Sequence, residues 1–70
     1  MLSSTDARRL SNLKERLGLL TTEEALALAV ESETTARQLG PVDPAFLYFA
    51  TAADHYFYYA LLLENERSQS

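Results

Sequence analysis

The stretch AFLYFATAADHYFYYALLL, residues 45–63, decides the fold of this chain. It contains all three Phe, all four Tyr and the single His of the sequence, and it has no Gly or Pro. A surface helix is usually apolar along one stripe, whereas this stretch is apolar nearly all round. We therefore expect a helix that is covered on one side by the rest of the chain and on another side by a second chain.

Length and composition indicate a single all-helical domain, residues 1–70. Ala, Leu and Glu dominate, β-branched residues are few, and no alternating strand pattern is present. A domain of this size is marginally stable alone, and a chain without Cys has no disulfide to help it. We predict an all-α fold, either a three-helix bundle or a helical hairpin with a long apolar third helix, assembled as an oligomer.

The charge balance argues against several classes of function. A net charge of −4 and a pI near 4.7 disfavour direct nucleic-acid binding, which requires clustered Lys and Arg. The lack of Cys fits a reducing compartment, and the N terminus lacks the basic and then apolar pattern of a signal peptide. Asp54 and His55 lie in the middle of the apolar stretch, where charge is costly in a bilayer. We predict a cytoplasmic protein that binds neither nucleic acid nor membrane.

Capping residues mark the first two helices. The first helix is predicted over residues 5–17, and Gly18 is typical of the position that follows a helix. The second helix begins at a capping box formed by Thr21 and Glu24 and stops at Gly40. The N-cap candidates of the first helix are Ser3, Ser4 and Thr5. Its apolar seam is Leu10, Leu13, Leu17 and Leu20, and the small-residue face of the second helix is Ala25, Leu28, Ala29, Ser32, Ala36 and Leu39.

The third helix is predicted to start with Asp43 as N-cap and Pro44 as its first residue, and to end near residue 66. The last residues, 67–70, are expected to fray. At about 100° per residue this helix has two apolar faces. The face predicted to pack against both other helices is Phe46, Phe49, Ala50, Ala53, Phe57 and Ala60. The opposite face is Tyr48, Thr51, Ala52, His55, Tyr59 and Leu62.

The opposite face of the third helix is predicted to bind a partner, because Tyr and other aromatic residues are enriched at the centres of protein interfaces. The alternative is that the two shorter helices wrap further round and make this face part of the core. We favour the interface, since two short helices do not easily cover the full circumference of a long one. The predicted partner-binding residues are Tyr48, Asp54, His55, Tyr58, Tyr59 and Leu62.

Asp54 lies at the border of the predicted interface, among Leu and aromatic neighbours. Covering a carboxylate in such surroundings is costly unless it is paired. Three arrangements remain open: it stays exposed to solvent, it pairs with a cation of the first helix, or it pairs with a Lys or Arg of a partner. The candidate cations of the first helix are Arg8, Arg9 and Lys14.

The sequence offers little for catalysis or for ligand chemistry. His55 is the only His, so one chain cannot form a multi-His metal site. Asp54 and His55 are neighbours on a helix and do not face each other. There is no second base, no nucleophile with a partner and no phosphate loop, and the Tyr residues lack the basic groove that nucleic-acid stacking requires. We predict no enzymatic activity, no cofactor and no metal.

Residues 43–55, DPAFLYFATAADH, resemble the third-helix signature of the Hha/YmoA proteins, which are small all-helical bacterial regulators of about this length. In that family a capping Asp leads into an apolar helix whose first half ends in Ala-Ala-Asp-His. The two patterns diverge after His55, where this chain continues with YFYYALLL and the family turns charged. The resemblance implies a co-regulator that binds the helical N-terminal dimerisation region of the nucleoid protein H-NS and does not read DNA sequence itself. It also implies that Asp54 contacts the partner.

The function predicted on these grounds is that of a non-enzymatic interaction protein, a small regulator or adaptor that binds a partner protein through its third helix. A small antitoxin, a phage-encoded inhibitor or a secretion chaperone would have the same short, acidic and helical character. A structural homo-oligomer, in which the third helix pairs with a second copy, is the alternative of a different class. A small-molecule binder lined by the Tyr residues is a further one.

Overall fold

The computed structural model describes residues 2–68. They form three helices, α1 (Ser4–Leu17), α2 (Thr22–Leu39) and α3 (Phe46–Ser68), and no strand is present in this part of the chain. The all-helical prediction is therefore confirmed. None of these helices combines the length and the hydropathy needed to cross a bilayer.

The ends of α1 and α2 follow the predicted capping signals. Ser3 is the N-cap of α1, and its side chain accepts a hydrogen bond from the Asp6 N–H. The capping box of α2 is complete, because the Thr21 hydroxyl accepts from the Glu24 N–H and the Glu24 carboxylate accepts from the Thr21 N–H. Each helix ends at a Gly with positive φ, 87° at Gly18 and 82° at Gly40.

Helix α3 starts later than predicted. The Asp43 carboxylate accepts a hydrogen bond from the Ala45 N–H at 2.8 Å, and the Phe46 N–H donates to the Asp43 carbonyl at 3.0 Å. Asp43 thus caps a turn that precedes the helix, and the first helical residue is Phe46 rather than Pro44. The helix continues to Ser68, and the end of the predicted frayed tail, residues 69–70, lies outside the described residues.

Helices α2 and α3 form an antiparallel hairpin. Leu26 near the start of α2 lies beside Leu61 near the end of α3, whereas Arg37 near the end of α2 lies beside Ala50. The seam between the helices is lined by alanines, whose small side chains let two helices approach closely. The buried alanines of this seam are Ala25, Ala29, Ala36, Ala53 and Ala60. The small-residue face predicted for α2 is confirmed.

Helix α1 packs against α3 and not against α2 within residues 2–68. It lies on a different side of α3 from the alanine seam, so the prediction that both short helices cover the same face was wrong. The leucine seam of α1 is confirmed, since Leu10 and Leu13 are buried in a cluster with Tyr59 and Leu62. The half-buried side chains around this cluster are Leu2, Leu17, Leu20, Tyr58 and Leu63.

Helix α3 is the central element of the fold. Its 23 residues span about 35 Å, most of the 42 Å length of the molecule. Helix α1, with 14 residues, is much shorter and buries side chains from the C-terminal half of α3. The N-terminal half of α3 keeps one side open to solvent.

Candidate functional site

The predicted partner-binding face of α3 is divided into two parts by α1. In its C-terminal part, Tyr59 and Leu62 are 0% and 1% exposed and contact Leu10 and Leu13 of α1. Neither side chain is accessible to a partner in this fold, so the predicted interface role of Tyr59 and Leu62 was wrong. Their burial agrees with the alternative given above, in which the shorter helices wrap round α3 and make this face part of the core.

Tyr59 also fixes the loop between α1 and α2. Its hydroxyl donates a hydrogen bond to the Gly18 carbonyl at 2.7 Å and lies 3.4 Å from the Leu20 N–H, which donates to it. A buried Tyr generally needs a partner for its hydroxyl, and here the loop backbone supplies one. Tyr59 therefore stabilises the position of α1 through both its ring and its hydroxyl.

Tyr58 is half-buried and is bound to α1 through a short chain of hydrogen bonds. The Arg9 guanidinium donates to the Tyr58 hydroxyl at 3.1 Å, and that hydroxyl donates to the Asp6 carboxylate at 3.1 Å. The hydrogen bond to Tyr58 is the main cause that holds the pKa of Arg9 above its ordinary value. Tyr58 thus contacts this chain's own first helix rather than standing free on the predicted interface.

The N-terminal half of α3 carries an exposed face, which consists of Leu47, Tyr48, Thr51 and Asp54. These residues lie at positions i, i+1, i+4 and i+7, which share one side of a helix. Leu47 is 71% and Tyr48 is 72% exposed, and Thr51 and Asp54 are exposed as well. The Tyr48 ring packs edge-on against Phe49 with the ring centroids 5.1 Å apart, which restrains its direction.

A cleft of about 390 Å³ borders the exposed face where the end of α1 approaches α3. Arg16 and Leu17 of α1 line it together with Tyr48, Thr51 and His55 of α3. His55 is half-buried, so it forms part of the wall of the cleft. Of the six predicted partner-binding residues, Tyr48, Asp54 and His55 are thus the ones that lie on or beside an open surface.

Asp54 is exposed, and none of the cations considered for it on α1 binds it within residues 2–68. Arg9 donates to Tyr58, and Lys14 forms an ion pair with Glu66 at 3.6 Å. Asp54 borders a shallow groove beside Arg37, whose guanidinium pairs with Glu33 at 2.6 Å. The internal pair with α1 is therefore absent from the described part of the chain, and a pair with a partner stays a prediction.

Phe57 was predicted in the core, but it is 37% exposed. The buried residues of α2 are alanines, whose side chains are too short to cover a phenyl ring beside the seam. Phe57, Leu26 and Leu61 line a groove of about 550 Å³ along one side of the hairpin, and exposed Val30 continues their row one turn along α2. We call Leu26, Val30, Phe57 and Leu61 the hairpin groove. Sequence reasoning missed it because Leu26 and Val30 lie outside the small-residue face predicted for the second helix.

Within residues 2–68, no group of three or more His, Asp or Glu side chains is arranged to hold a metal ion. Comparisons of the chain with protein-family models, curated proteins and solved structures gave no match.

Proposed function

We propose that this chain is a non-enzymatic interaction module, a small regulator or adaptor that binds a partner protein through helix α3. The observation that carries the proposal is the exposed face. Two large apolar side chains, Leu47 and Tyr48, are both more than two-thirds exposed and share this face with an exposed carboxylate, Asp54. Exposed apolar residues are common singly, but contiguous apolar patches rimmed by polar groups mark binding sites.

The backbone of the exposed face is held in place before any partner arrives. Helix α3 is packed against α2 along the alanine seam and against α1 at its C-terminal half. A partner would therefore not have to order this helix, and the cost of binding is reduced accordingly. Tyr48 adds an amphipathic ring with few rotatable bonds, the kind of side chain that dominates binding energy at interfaces.

Asp54 supplies charge specificity in this proposal. Its carboxylate is solvated in the free chain, where a surface ion pair would contribute little. When a partner covers Leu47 and Tyr48, water leaves the surroundings of Asp54. An ion pair between Asp54 and a facing Lys or Arg then contributes more to the free energy of binding. Removing one member of such a desolvated pair generally costs about 2–5 kcal/mol of binding free energy.

The resemblance of residues 43–55 to the Hha/YmoA proteins specifies the partner more narrowly. It implies the helical N-terminal dimerisation region of H-NS, with Asp54 as the residue that contacts it. This finer proposal places the chain in the cytoplasm and makes it a co-regulator that does not read DNA itself. It stands on those residues alone and can fail while the broader proposal of a protein partner holds.

Calorimetric titration tests both levels of the proposal. The N-terminal region of H-NS is titrated first, and a partner captured from cell lysate and identified by mass spectrometry is titrated second. Asp54→Asn and Tyr48→Ala should each weaken binding at least tenfold, which corresponds to about 1.4 kcal/mol, while circular dichroism stays unchanged. Glu31→Gln removes the same charge from the exposed side of α2 and should bind as the wild type does.

The outcomes separate the two levels. Absence of binding to H-NS together with Asp54-dependent binding of another protein would reject the finer proposal only. Equal affinities of the Asp54→Asn, Tyr48→Ala and Glu31→Gln chains for every captured protein would reject the exposed face as the binding site.

A further inference from the structure

We propose that the hairpin groove is the surface through which two copies of this chain associate, with α2 of each copy against α3 of the other. This inference goes beyond the proposed function because it uses a different surface. The exposed face lies on the N-terminal half of α3, whereas the hairpin groove follows α2 and the middle and C-terminal part of α3.

The distribution of apolar side chains within the hairpin motivates the proposal. The residues buried between α2 and α3 are alanines, and burying a methyl group contributes little to stability. The large apolar side chains on the open side of the hairpin are left partly outside: Leu26 is 42%, Val30 56%, Phe57 37% and Leu61 56% exposed. A soluble chain rarely leaves such a contiguous row in water.

The register of the hairpin makes the groove complementary to a copy of itself. Leu26 lies level with Phe57 and Leu61, and Val30 follows one turn later along α2. A two-fold axis parallel to the helices places α2 of one copy antiparallel to α3 of the other, in the same register as within one chain. Leu26 and Val30 of each copy then contact Leu61 and Phe57 of the other. The two-fold axis makes the two sets of contacts identical, as an isologous interface requires.

The charged groups along the groove permit this arrangement. Within residues 2–68, the charged side chains beside the apolar row lie at its two ends. At one end, Arg67 lies among Glu23 and Glu64, and at the other end Arg37 pairs with Glu33 beside Asp54, so each end carries one cation and two carboxylates. No residue of α1 lines the groove, and α1 therefore leaves room for the second copy.

The area of the groove face indicates how tightly two copies should associate. Helix α2 has 18 residues, so it is about 27 Å long, and a pair of packed helices is about 20 Å wide. A face of that size covers roughly 500–600 Å² per copy, or about 1,000–1,200 Å² in total, at or below the lower limit of stable specific interfaces, which bury about 1,200–2,000 Å² in total. We expect a dimer with a dissociation constant in the micromolar range.

Sedimentation equilibrium from about 10 to 500 µM tests the association, since a micromolar dimer populates both species in that range. The wild-type chain should shift from 7.8 kDa towards twice that mass. Val30→Glu places a charge in the row and should weaken association at least tenfold, whereas Val42→Glu, at a 96% exposed loop position, should not. A wild-type chain that stays at 7.8 kDa throughout, or equal effects of the two substitutions, would overturn the proposal.

Disulfide trapping tests the geometry independently of stability. The chain has no Cys, so Val30→Cys and Phe57→Cys chains each carry one thiol. When the two are mixed and oxidised, the proposed pairing predicts that the heterodimer cross-links faster than either homodimer. A Val42→Cys chain is the control for random collision. Cross-linking rates that match this control, or homodimers that form fastest, would contradict the pairing of α2 with α3 of the second copy.

Discussion

The hydroxyl of Tyr59 provides a sharp test of the fold, because its neighbour Tyr58 offers a matched control. Each residue can be changed to Phe, which removes one oxygen and keeps the ring. The Tyr59 hydroxyl bonds the Gly18 carbonyl at 2.7 Å and the Leu20 N–H at 3.4 Å from a fully buried side chain. The Tyr58 hydroxyl bonds side chains that reach solvent, where water can replace it.

The expected magnitudes differ accordingly. One short hydrogen bond and one long one are lost in Tyr59→Phe, and two backbone groups lose a partner, which costs about 1–2 kcal/mol. Tyr58→Phe should cost less than about 1 kcal/mol, as exposed polar contacts generally do. For a domain of this size, 1 kcal/mol lowers the melting temperature by roughly 4–8 °C. Tyr59→Phe should therefore melt roughly 5–15 °C below the wild type, and Tyr58→Phe within a few degrees of it.

Thermal and urea denaturation measure both variants at one protein concentration, because association would make the melting temperature depend on concentration. Amide hydrogen exchange adds a local readout, since Leu20 should exchange faster in Tyr59→Phe and not in Tyr58→Phe. Equal destabilisation by the two substitutions, or unchanged exchange at Leu20, would refute the view that the Tyr59 hydroxyl fixes the loop between α1 and α2.

The remaining predictions concern the buried cluster between α1 and α3, the hairpin groove, and the backbone at Gly18. Leu62→Ala removes a side chain that is 1% exposed and should lower the free energy of unfolding by about 2–5 kcal/mol. Phe57→Ala, measured at concentrations well below those at which the dimer forms, should lower it by clearly less than the roughly 3–5 kcal/mol typical of a buried Phe. Urea denaturation ranks the two, and a larger loss in Phe57→Ala would contradict their placement. Gly18→Ala should cost about 1–3 kcal/mol, because its φ of 87° with ψ of 173° is strained for any residue with a Cβ. A melting temperature equal to that of the wild type would contradict this backbone geometry.

The local signals in the sequence were sufficient to predict the helices. The Thr21–Glu24 capping box, Gly18 and Gly40 predicted boundaries that depend on the chemistry of a few adjacent residues. Asp43 was the exception, because an Asp side chain can cap either a helix or the turn before it, and the two differ only in the position of the first helical residue.

The packing was harder to predict, because α3 is apolar nearly all round and its periodicity does not say which side each short helix covers. The burial of Tyr59 and Phe57 was predicted wrongly for this reason. Tyr59 was assigned to an interface and is buried, whereas Phe57 was assigned to the core and is partly exposed. The deciding property lies on the other helices. Leucines of α1 are long enough to enclose Tyr59, and alanines of α2 are too short to enclose Phe57.

Only part of the candidate site was predicted, because the sequence of α3 does not say which of its residues the other helices leave exposed. Tyr48 and Asp54 were identified from the aromatic and charged pattern of the stretch, and both are exposed on α3. Leu47 was not among the predicted partner-binding residues, although it is 71% exposed. Its exposure follows from the position of α1, whose last residues, Arg16 and Leu17, border a cleft beside Leu47 without covering it, and no residue of α3 itself carries that information.

Site-specific photo-cross-linking in cells tests the central claim, that the exposed face of α3 binds a partner protein, most directly. The photoreactive residue p-benzoylphenylalanine replaces Tyr48 in one chain and Leu19 in a control, since Leu19 is 84% exposed in the loop between α1 and α2. We predict one discrete adduct with another protein from position 48, suppressed by Asp54→Asn, and no such adduct from position 19. The same adducts from both positions, or an adduct at position 48 only with a second copy of the chain, would contradict the claim.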